Sequence, residues 1–159
     1  MHSLSNVIGA RGEKVFELAI TDYRNFRRPL FKPGFLGEKW PALDYYVELT
    51  GVRGSTPFFF VQVKSTTTGI NAHNNTISIQ ASKAKCDSLF KIPGLTYIVG
   101  VHEPERRAFI LSMHAKVDKG IYSIPIKYEL NSENLQRLHE EVIDFWKKAP
   151  HKPAGSYFT

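Results

Sequence analysis

The sequence predicts an α/β fold in which a central mixed sheet is flanked by helices, with an extra C-terminal helix. Apolar residues recur at helical spacing over residues 7–26 and 131–148, which indicates two helices. Two alternating segments, 43–49 and 58–66, are joined by a connection containing glycine and proline, which is typical of a hairpin. A strand, a helix and a strand follow over 76–101, and this order indicates a crossover between strands. The predicted core order is α-β-β-β-α-β.

Length and composition predict one domain over residues 1–149, followed by a tail over 150–159. A chain of 159 residues with 42% hydrophobic residues can bury one sizeable core. Because Cys86 is the one cysteine, the chain forms no intramolecular disulfide and no cysteine-based zinc cluster. No apolar run approaches the roughly 20 residues of a membrane span, and no signal-peptide pattern is present. We therefore expect a cytoplasmic protein without a membrane partner.

The formal net charge of +6 makes contact with a polyanion plausible. Lysine and arginine gain affinity for nucleic acid because they displace counterions from its phosphates. Net charge alone does not identify a nucleic-acid-binding protein, since many basic proteins have other partners.

The first helix carries two glycines and a carboxylate near its start. Gly9 and Gly12 form a Gly-x-x-Gly, but no strand precedes it and no Gly-Lys-Ser/Thr follows, so close packing explains it better than a phosphate loop. Glu13 lies at the edge of the apolar stripe that should face the sheet. Its carboxylate is either part of a functional site or an acid favoured by the helix dipole.

The strand 58–66 becomes polar toward its carboxyl end. Alternation puts Phe58, Phe60, Gln62 and Lys64 on one face. The other face is apolar as well, which predicts a central strand covered on both sides. Ligand sites in open α/β sheets usually lie at the carboxyl ends of strands, which draws attention to Gln62 and Lys64.

The preceding strand supplies a carboxylate that can reach this pair. If the connection from Thr50 to Pro57 closes a hairpin, Asp44 lies opposite Gln62 or Lys64. The same register puts Glu48 opposite Phe58 or Phe60. We therefore expect Asp44, Gln62 and Lys64 to share a pocket beneath the first helix. The alternative is a cross-strand salt bridge on a half-exposed sheet face, which would contribute little to stability.

An Asp at the start of one strand, followed by Gln-x-Lys on its hairpin partner, resembles the core of the PD-(D/E)XK, or restriction-endonuclease-like, nuclease superfamily. The resemblance covers roughly residues 7 to 112. The string Gln62-Val63-Lys64-Ser65-Thr66 is most similar to a family of restriction-endonuclease-like domains of unknown function. The resemblance implies a nuclease that hydrolyses phosphodiester bonds of DNA with Mg²⁺ or Mn²⁺, in restriction, repair or defence.

The resemblance also assigns roles to residues. Asp44 would be the central metal ligand, with the side-chain carbonyl of Gln62 and the peptide carbonyl of Val63 as further ligands. Glu13 matches the helix-one glutamate that often completes the metal site, where it could hold a metal-bound water. Lys64 would orient the attacking water or stabilise charge in the transition state.

Two departures from the superfamily pattern leave an alternative open. Superfamily members usually have Glu or Asp where this sequence has Gln62, and the amide removes one negative charge from the metal's shell. The proline of the motif is replaced by Leu43, although Pro41 is close by. The alternative is a catalytically weakened module of the same fold that binds nucleic acid or a protein partner without cleavage.

A basic and aromatic segment follows the first helix and reads as a long connection. Basic residues interleaved with aromatics could grip a phosphate backbone and stack on bases. Alternatively, the aromatics fill the gap between helix and sheet while the arginines are solvated, or the loop Phe31 to Trp40 docks a partner or forms a homodimer. The residues predicted to contact nucleic acid are Arg24, Arg27, Arg28, Lys32, Ser65 and Thr66.

The later segments complete the prediction. Residues 76–80 alternate and would add the third strand of a meander, and 81–90 form a helix that Ser82 could cap. The apolar strand 95–101 turns at 103–107 into a hairpin partner at 108–113. Pro125 makes 121–130 an edge strand or extended loop.

The last helix and the histidines are the remaining features. Asn131 or Ser132 caps a helix that runs to about Lys148. The six histidines are scattered without metal-ligand spacing, which predicts that each is a surface or a satisfied core residue.

Overall fold

The computed structural model describes residues 3–158 and contains one mixed five-stranded sheet flanked by helices. The helices are α1 (Leu4–Ile20), α2 (Lys83–Phe90) and α3 (Ser132–Lys148). The strands are β1 (Phe31–Phe35), β2 (Tyr45–Leu49), β3 (Phe58–Thr66), β4 (Thr76–Ala81), β5 (Thr96–His102), β6 (Arg107–Ser112) and β7 (Ile121–Pro125), followed by a short 3₁₀ helix, Ile126–Tyr128. The sheet order is β1-β2-β3-β5-β6, with β3 and β5 parallel and the other pairs antiparallel. The predicted fold class is confirmed.

The connection predicted between the first helix and the first strand contains an edge strand. β1 pairs antiparallel with β2, from Phe31 opposite Leu49 to Phe35 opposite Tyr45. Pro33 and Gly34 lie within β1. The strand was not recognised from the sequence because proline is tolerated in a strand only at an edge. The prediction of a long loop was therefore wrong, and α1 ends at Ile20 rather than at residue 26.

The segment 76–80 is a strand, but the predicted meander through it was wrong. β4 pairs with β7 in a separate two-stranded sheet, and β3 pairs with β5 instead. The small sheet packs on Gly100 of β5, where a Cβ would lie 2.8 Å from Ile79 and 3.1 Å from Ile124. The α-β-β-β-α-β order holds with β1, β2 and β3 as the antiparallel unit.

The predicted helix caps and the later strands agree with the structure. The hydroxyl of Ser82 accepts a hydrogen bond from the Lys85 N–H at the start of α2. The side chain of Asn131 accepts from the Asn134 N–H at the start of α3. β5 and β6 form the predicted hairpin, and residues 150–158 form neither helix nor strand. Within residues 3–158, none of the helices has the length and hydropathy needed to cross a lipid bilayer.

Apolar side chains cover the two faces of the sheet as two clusters. α1 and α3 pack on one face, where Phe16, Phe59 and Val99 are buried. α2 and the β4–β7 sheet pack on the other, where Leu89 and Ile98 are buried. Since side chains alternate along a strand, Phe59, Val61, Val63 and Ser65 of β3 face α1, and Phe60, Gln62 and Lys64 face α2.

The two glycines of α1 have different surroundings. A Cβ at Gly12 would overlap the hydroxyl of Ser65 and lie 2.9 Å from its Cβ, whereas a Cβ at Gly9 would meet nothing within 4 Å. Gly12 therefore lets α1 approach the carboxyl end of β3, as the close-packing interpretation predicts.

We expect Gly12→Ala to destabilise the protein by about 1–3 kcal/mol, because α1 must shift away from β3 to make room for the methyl group. The matched substitution Gly9→Ala should stabilise it by about 0.5–1 kcal/mol, since alanine favours the helix and the methyl group meets open space. Urea denaturation of both variants measures the difference. Equal effects at the two positions would contradict the close packing of Gly12.

Candidate active site

β3 extends beyond the start of β2, which leaves part of its edge open. The register runs from Glu48 opposite Phe58, as predicted, to Tyr45 opposite Val61. Residues 62–66 pair with β5 on one side, whereas on the other side no strand in the described residues 3–158 continues the ladder. We call this open space beside residues 62–66 the β3 notch.

The carboxylate of Asp44 lies at the mouth of the β3 notch and takes the place of a strand partner. The backbone N–H of Asp44 donates to the Val61 carbonyl at 2.9 Å, and its Oδ2 accepts the Val63 N–H at 2.7 Å. The N–H and C=O of one strand residue point to the same side, so the Val63 carbonyl also faces the notch. Continuing the β2–β3 register puts Asp44 opposite Gln62, one of its two predicted partners.

Gln62 and Lys64 lie on the face of the sheet that α2 covers. Their parallel partners are Ile98 and Gly100, and both belong to the side of the sheet packed by α2 and the β4–β7 sheet. The expectation of a pocket beneath α1 was therefore wrong. Alternation fixes which side chains share a face, but it does not tell which helix covers that face.

Gln62 carries an unsatisfied polar atom. The residue is only 5% exposed, and its Oε1 is buried and accepts no hydrogen bond within the described part of the chain. An unpaired buried carbonyl costs on the order of 1–3 kcal/mol. This atom, two residues before Lys64, is an oxygen acceptor that no donor among the described residues satisfies.

The carboxylates of Asp44 and Glu13 come from different elements, and the charge of Asp44 acts on Glu13. Burial raises the pKa of Asp44, and it outweighs the Val63 hydrogen bond and the charges of Lys64 and Lys85, which lower it. Burial, followed by the charge of Asp44, raises the pKa of Glu13 on α1. Because each acid is more costly to ionise than in water, a cation bound between them would be stabilised.

Lys64 is the cation of this group that the sequence predicted, and Lys85 of α2 is one that it did not. Burial, followed by the charge of Lys85, lowers the pKa of Lys64, and Asp44 opposes this effect. Lys85 therefore acts electrostatically on both Asp44 and Lys64. The sequence feature that could have indicated Lys85 is its position directly before the buried Cys86, in the helix that follows β4.

Of the basic residues after α1, Arg28 and Lys32 lie toward the opposite end of the sheet, whereas Arg24 lies near Arg106 and Arg107 at the start of β6. The Nε and Nη2 atoms of Arg24 donate hydrogen bonds to the carboxylate of Asp22, and the side chain of Arg27 is exposed. Arg28 lies against Gly51 in the β2–β3 connection, where a Cβ would be 2.7 Å from its Nη2. Lys32 lies opposite Glu48 in the register of β1 and β2. Their contact with nucleic acid stays a prediction, separate from the residues at the notch.

Ser65 and Thr66 are half-buried, and their hydroxyl groups have different surroundings. The buried hydroxyl of Ser65 lies against Gly12 and has no hydrogen bond among the described residues. The Thr66 hydroxyl accepts the Thr68 N–H at 3.1 Å.

Some aromatic residues between α1 and β2 fill the gap between helix and sheet, and others are exposed enough to contact a partner. Phe31 is 1% exposed and packs against Phe59 and His139 in the core, so it fills the gap between helix and sheet. Phe35 and Trp40 are 57% and 53% exposed and are free to contact a partner.

The donors around the notch suit a hard cation rather than zinc. Asp44, the orphaned Gln62 Oε1, the Val63 carbonyl and Glu13 offer oxygen atoms, which Mg²⁺ prefers, with one or two carboxylates and water completing its shell. Across residues 3–158, no group of three or more His, Cys, Asp or Glu residues could hold a metal ion. The donor set therefore fits Mg²⁺ or Mn²⁺ with two carboxylates at most.

Comparison with known proteins finds similarity only among solved structures. No protein-family model matches the chain, and no curated protein matches it. Among solved structures, the chain is similar to a nuclease from a fusselovirus, with a TM-score of 0.38 and 11% sequence identity over 90% of this chain and 88% of that one. The function is therefore inferred from the geometry of the notch.

The raised pKa of Asp44 predicts that Asp44→Asn stabilises the metal-free protein at neutral pH. The amide still accepts the Val63 N–H, and the cost of burying a charge disappears. Each kcal/mol gained raises the unfolding midpoint by roughly 2–4 °C in a protein of this size. Thermal unfolding in EDTA, compared with Glu48→Gln farther along β2, measures the effect.

The stabilisation should depend on pH with a defined sign. A carboxyl whose pKa is raised in the folded state opposes folding once the pH exceeds its unfolded-state value, whereas below that value it is protonated in both states. The advantage of Asp44→Asn should therefore fade as the pH falls through the raised pKa of Asp44. A lower midpoint for Asp44→Asn at neutral pH would contradict this electrostatic interpretation.

Proposed function

We propose that this protein is a nuclease of the PD-(D/E)XK type that hydrolyses phosphodiester bonds of DNA with Mg²⁺ or Mn²⁺, in restriction, repair or defence. The observation that carries the proposal is the position of Asp44, which replaces a strand partner beside Val63 where Gln62 and Lys64 extend past β2. The net charge of +6 favours a polyanionic substrate.

Asp44, Gln62 Oε1 and the Val63 carbonyl would hold the metal ion, and Glu13 would hold one of its water ligands from the α1 side. The ion, when bound, supplies Lewis-acid stabilisation of the phosphate and activation of water. The Val63 N–H holds the Asp44 carboxylate through a hydrogen bond to Oδ2, which leaves Oδ1 to bind the ion. The chain thus holds its ligands in place before the substrate binds.

Lys64 would bind the scissile phosphate and stabilise the charge that develops on it. Its side chain shares a face with Gln62, about 7 Å farther along β3 at ~3.3 Å per residue. Because burial and Lys85 lower the pKa of Lys64, the neutral amine is easier to reach than in water, and Lys64 is also suited to move a proton from the attacking water.

The test is nicking of supercoiled DNA by purified protein with Mg²⁺ or Mn²⁺. We expect Asp44→Asn and Lys64→Met each to reduce the rate at least about 100-fold, because each removes a group that touches the metal ion or the phosphate. The matched control is Glu48→Gln, which changes a carboxylate of β2 at the other end of the strand. It should retain wild-type activity.

Unfolding midpoints show whether the inactive variants are folded. Equal cleavage by the wild type, Asp44→Asn and Lys64→Met would indicate a contaminating nuclease and would refute the assignment.

Gln62 favours a second candidate function, a module of the same fold that binds nucleic acid or a protein partner without cleaving. An amide in place of a carboxylate leaves two acids at the notch, and the described residues hold no cluster of three potential His, Cys, Asp or Glu ligands. DNA binding that weakens with salt, without metal-dependent cleavage, would support this candidate. Restoration of cleavage by Gln62→Glu would identify the missing charge as the cause.

A further inference from the structure

One face of β1 and β2 has no second layer over it in the described part of the chain. Along β2, Tyr45, Val47 and Leu49 are buried toward α1 and α3, whereas Tyr46 and Glu48, which point to the opposite side, are half-buried. Among residues 3–158, the main sheet packs against α2 and the β4–β7 sheet through β3, β5 and β6, and not through β1 or β2. The β1–β2 part of this face is therefore open.

Three aromatic rings lie next to one another on the open part of the sheet. The ring centroid of Tyr46 is 5.2 Å from that of Phe58 and 6.0 Å from that of Phe60. The neighbour of Tyr46 on the edge strand β1 is Gly34, which has no side chain to cover the tyrosine ring. We call Tyr46, Phe58 and Phe60 the aromatic face. Its tyrosine ring is accessible from the side of β1.

The aromatic face leads directly into the candidate site. Alternation along β3 puts Gln62 and Lys64 on the same side of the sheet as Phe60. Tyr46 lies opposite Phe60, and Asp44, two residues earlier, lies opposite Gln62 when the same register is continued. At ~3.3 Å per residue, Tyr46 and Asp44 are about 7 Å apart along the strand. This distance is comparable to one nucleotide of an extended strand.

Trp40 borders the candidate site on the other side of Asp44. The loop between β1 and β2 closes on Asp44, whose carbonyl accepts the Leu36 N–H at 2.9 Å. The Leu43 N–H donates to the Trp40 carbonyl at 3.4 Å, and a turn of this kind holds the two Cα atoms within about 7 Å. Leu36, Ala42 and Leu43 pack with the residues around α2, so the loop lies on the side of the sheet that carries Gln62. The side chain of Trp40 is 53% exposed.

Accessible rings on both sides of a phosphate-directed site are suited to nucleobases. Bases stack on aromatic side chains with little regard to sequence, because every base has a π-face. In a duplex each base is stacked on its neighbours, so the bases available to a protein ring are unpaired ones. Trp40 and Tyr46 therefore favour a single strand over a duplex.

We propose that Tyr46 and Trp40 stack the bases of unpaired nucleotides on either side of the scissile phosphate, so that the substrate is single-stranded or locally unpaired DNA. The proposal rests on the proposed nuclease function and names its substrate class. Phe58 and Phe60 support the Tyr46 ring from β3.

The first test compares a short oligothymidylate with an abasic strand of the same length, both titrated into the protein in EDTA. The two strands have the same phosphates, so a difference in affinity reports contacts to the bases. We expect the wild type to bind the oligothymidylate about ten-fold or more tightly than the abasic strand. Equal affinities, or no binding of the oligothymidylate, would overturn the proposal.

Variants assign the difference to the two rings. Tyr46→Leu and Trp40→Ala should each weaken oligothymidylate binding about ten-fold and leave binding of the abasic strand unchanged. Tyr46→Phe keeps the ring and should bind like the wild type. The matched control Tyr122→Leu removes a ring that is 60% exposed on β7, and it should also bind like the wild type. Wild-type oligothymidylate affinity in folded Tyr46→Leu and Trp40→Ala would overturn the proposal.

Tryptophan fluorescence tests the contact at Trp40 directly. The chain has two tryptophans, so Trp40 is the one fluorescent indole in Trp146→Phe, where phenylalanine retains a ring against Phe58. We expect the oligothymidylate to quench this fluorescence, because a base stacks on the indole, and the abasic strand to leave it unchanged. Unchanged fluorescence at saturating oligothymidylate would contradict stacking on Trp40.

A second copy of the chain is the other occupant that these experiments distinguish. Light scattering that shows a dimer, dissociated by Trp40→Ala and unaffected by oligothymidylate, would assign the exposed rings to an interface between two copies and would overturn the proposal.

Cleavage assays separate this proposal from the proposed function. If the wild type cleaves duplex DNA and Tyr46→Leu and Trp40→Ala have the same kcat/KM and affinities, the stacking role fails while the nuclease assignment stands. If no protein cleaves DNA but both variants lose oligothymidylate affinity, the stacking site stands and the nuclease assignment fails. If both hold, each variant lowers kcat/KM for single-stranded DNA about ten-fold.

Discussion

The candidate site depends on where β2 begins. Because β2 starts at Tyr45, opposite Val61, the edge of β3 beyond Val61 has no strand partner on that side among the described residues. Where β2 would continue the ladder, the carboxylate of Asp44 accepts the Val63 N–H instead. One hydrogen bond therefore satisfies the backbone of a central strand and also holds a carboxylate in the plane of the sheet. Had β2 begun five residues earlier, the edge of residues 62–66 would be covered and Gln62 and Lys64 would have no open space beside them.

A carboxylate in the plane of the sheet can be approached from both faces. α1 brings Glu13 from one face, and Gly12 allows its close approach to β3. α2 brings Lys85 from the other face, to which Gln62 and Lys64 also belong. The result is a group of partly buried charges and an amide oxygen that accepts no hydrogen bond from residues 3–158. Sites of this kind sacrifice stability that a bound ligand restores.

Alternation and loop length were enough to predict that Asp44 lies opposite Gln62 or Lys64, because these features are local, and the structure selects Gln62. They did not reveal β1, since Pro33 and Gly34 disguise a strand that is tolerated only at the sheet edge. The pairing of β4 with β7 and the packing of α2 on the sheet face that carries Lys64 are set by tertiary packing, which leaves no periodic signal in the sequence. Tertiary packing also decides which helix covers each face of the sheet. The side chains that share a face with Gln62 were therefore predicted correctly, but the helix that covers this face was not.

The most direct test of a metal site at the β3 notch is calorimetry of Mn²⁺ binding at low ionic strength. The account predicts that the wild type binds Mn²⁺, that Gln62→Met binds it more weakly because Oε1 is lost, and that Asp44→Asn shows no binding heat. Absence of binding by the wild type, or equal binding by wild type and Asp44→Asn, would contradict the account.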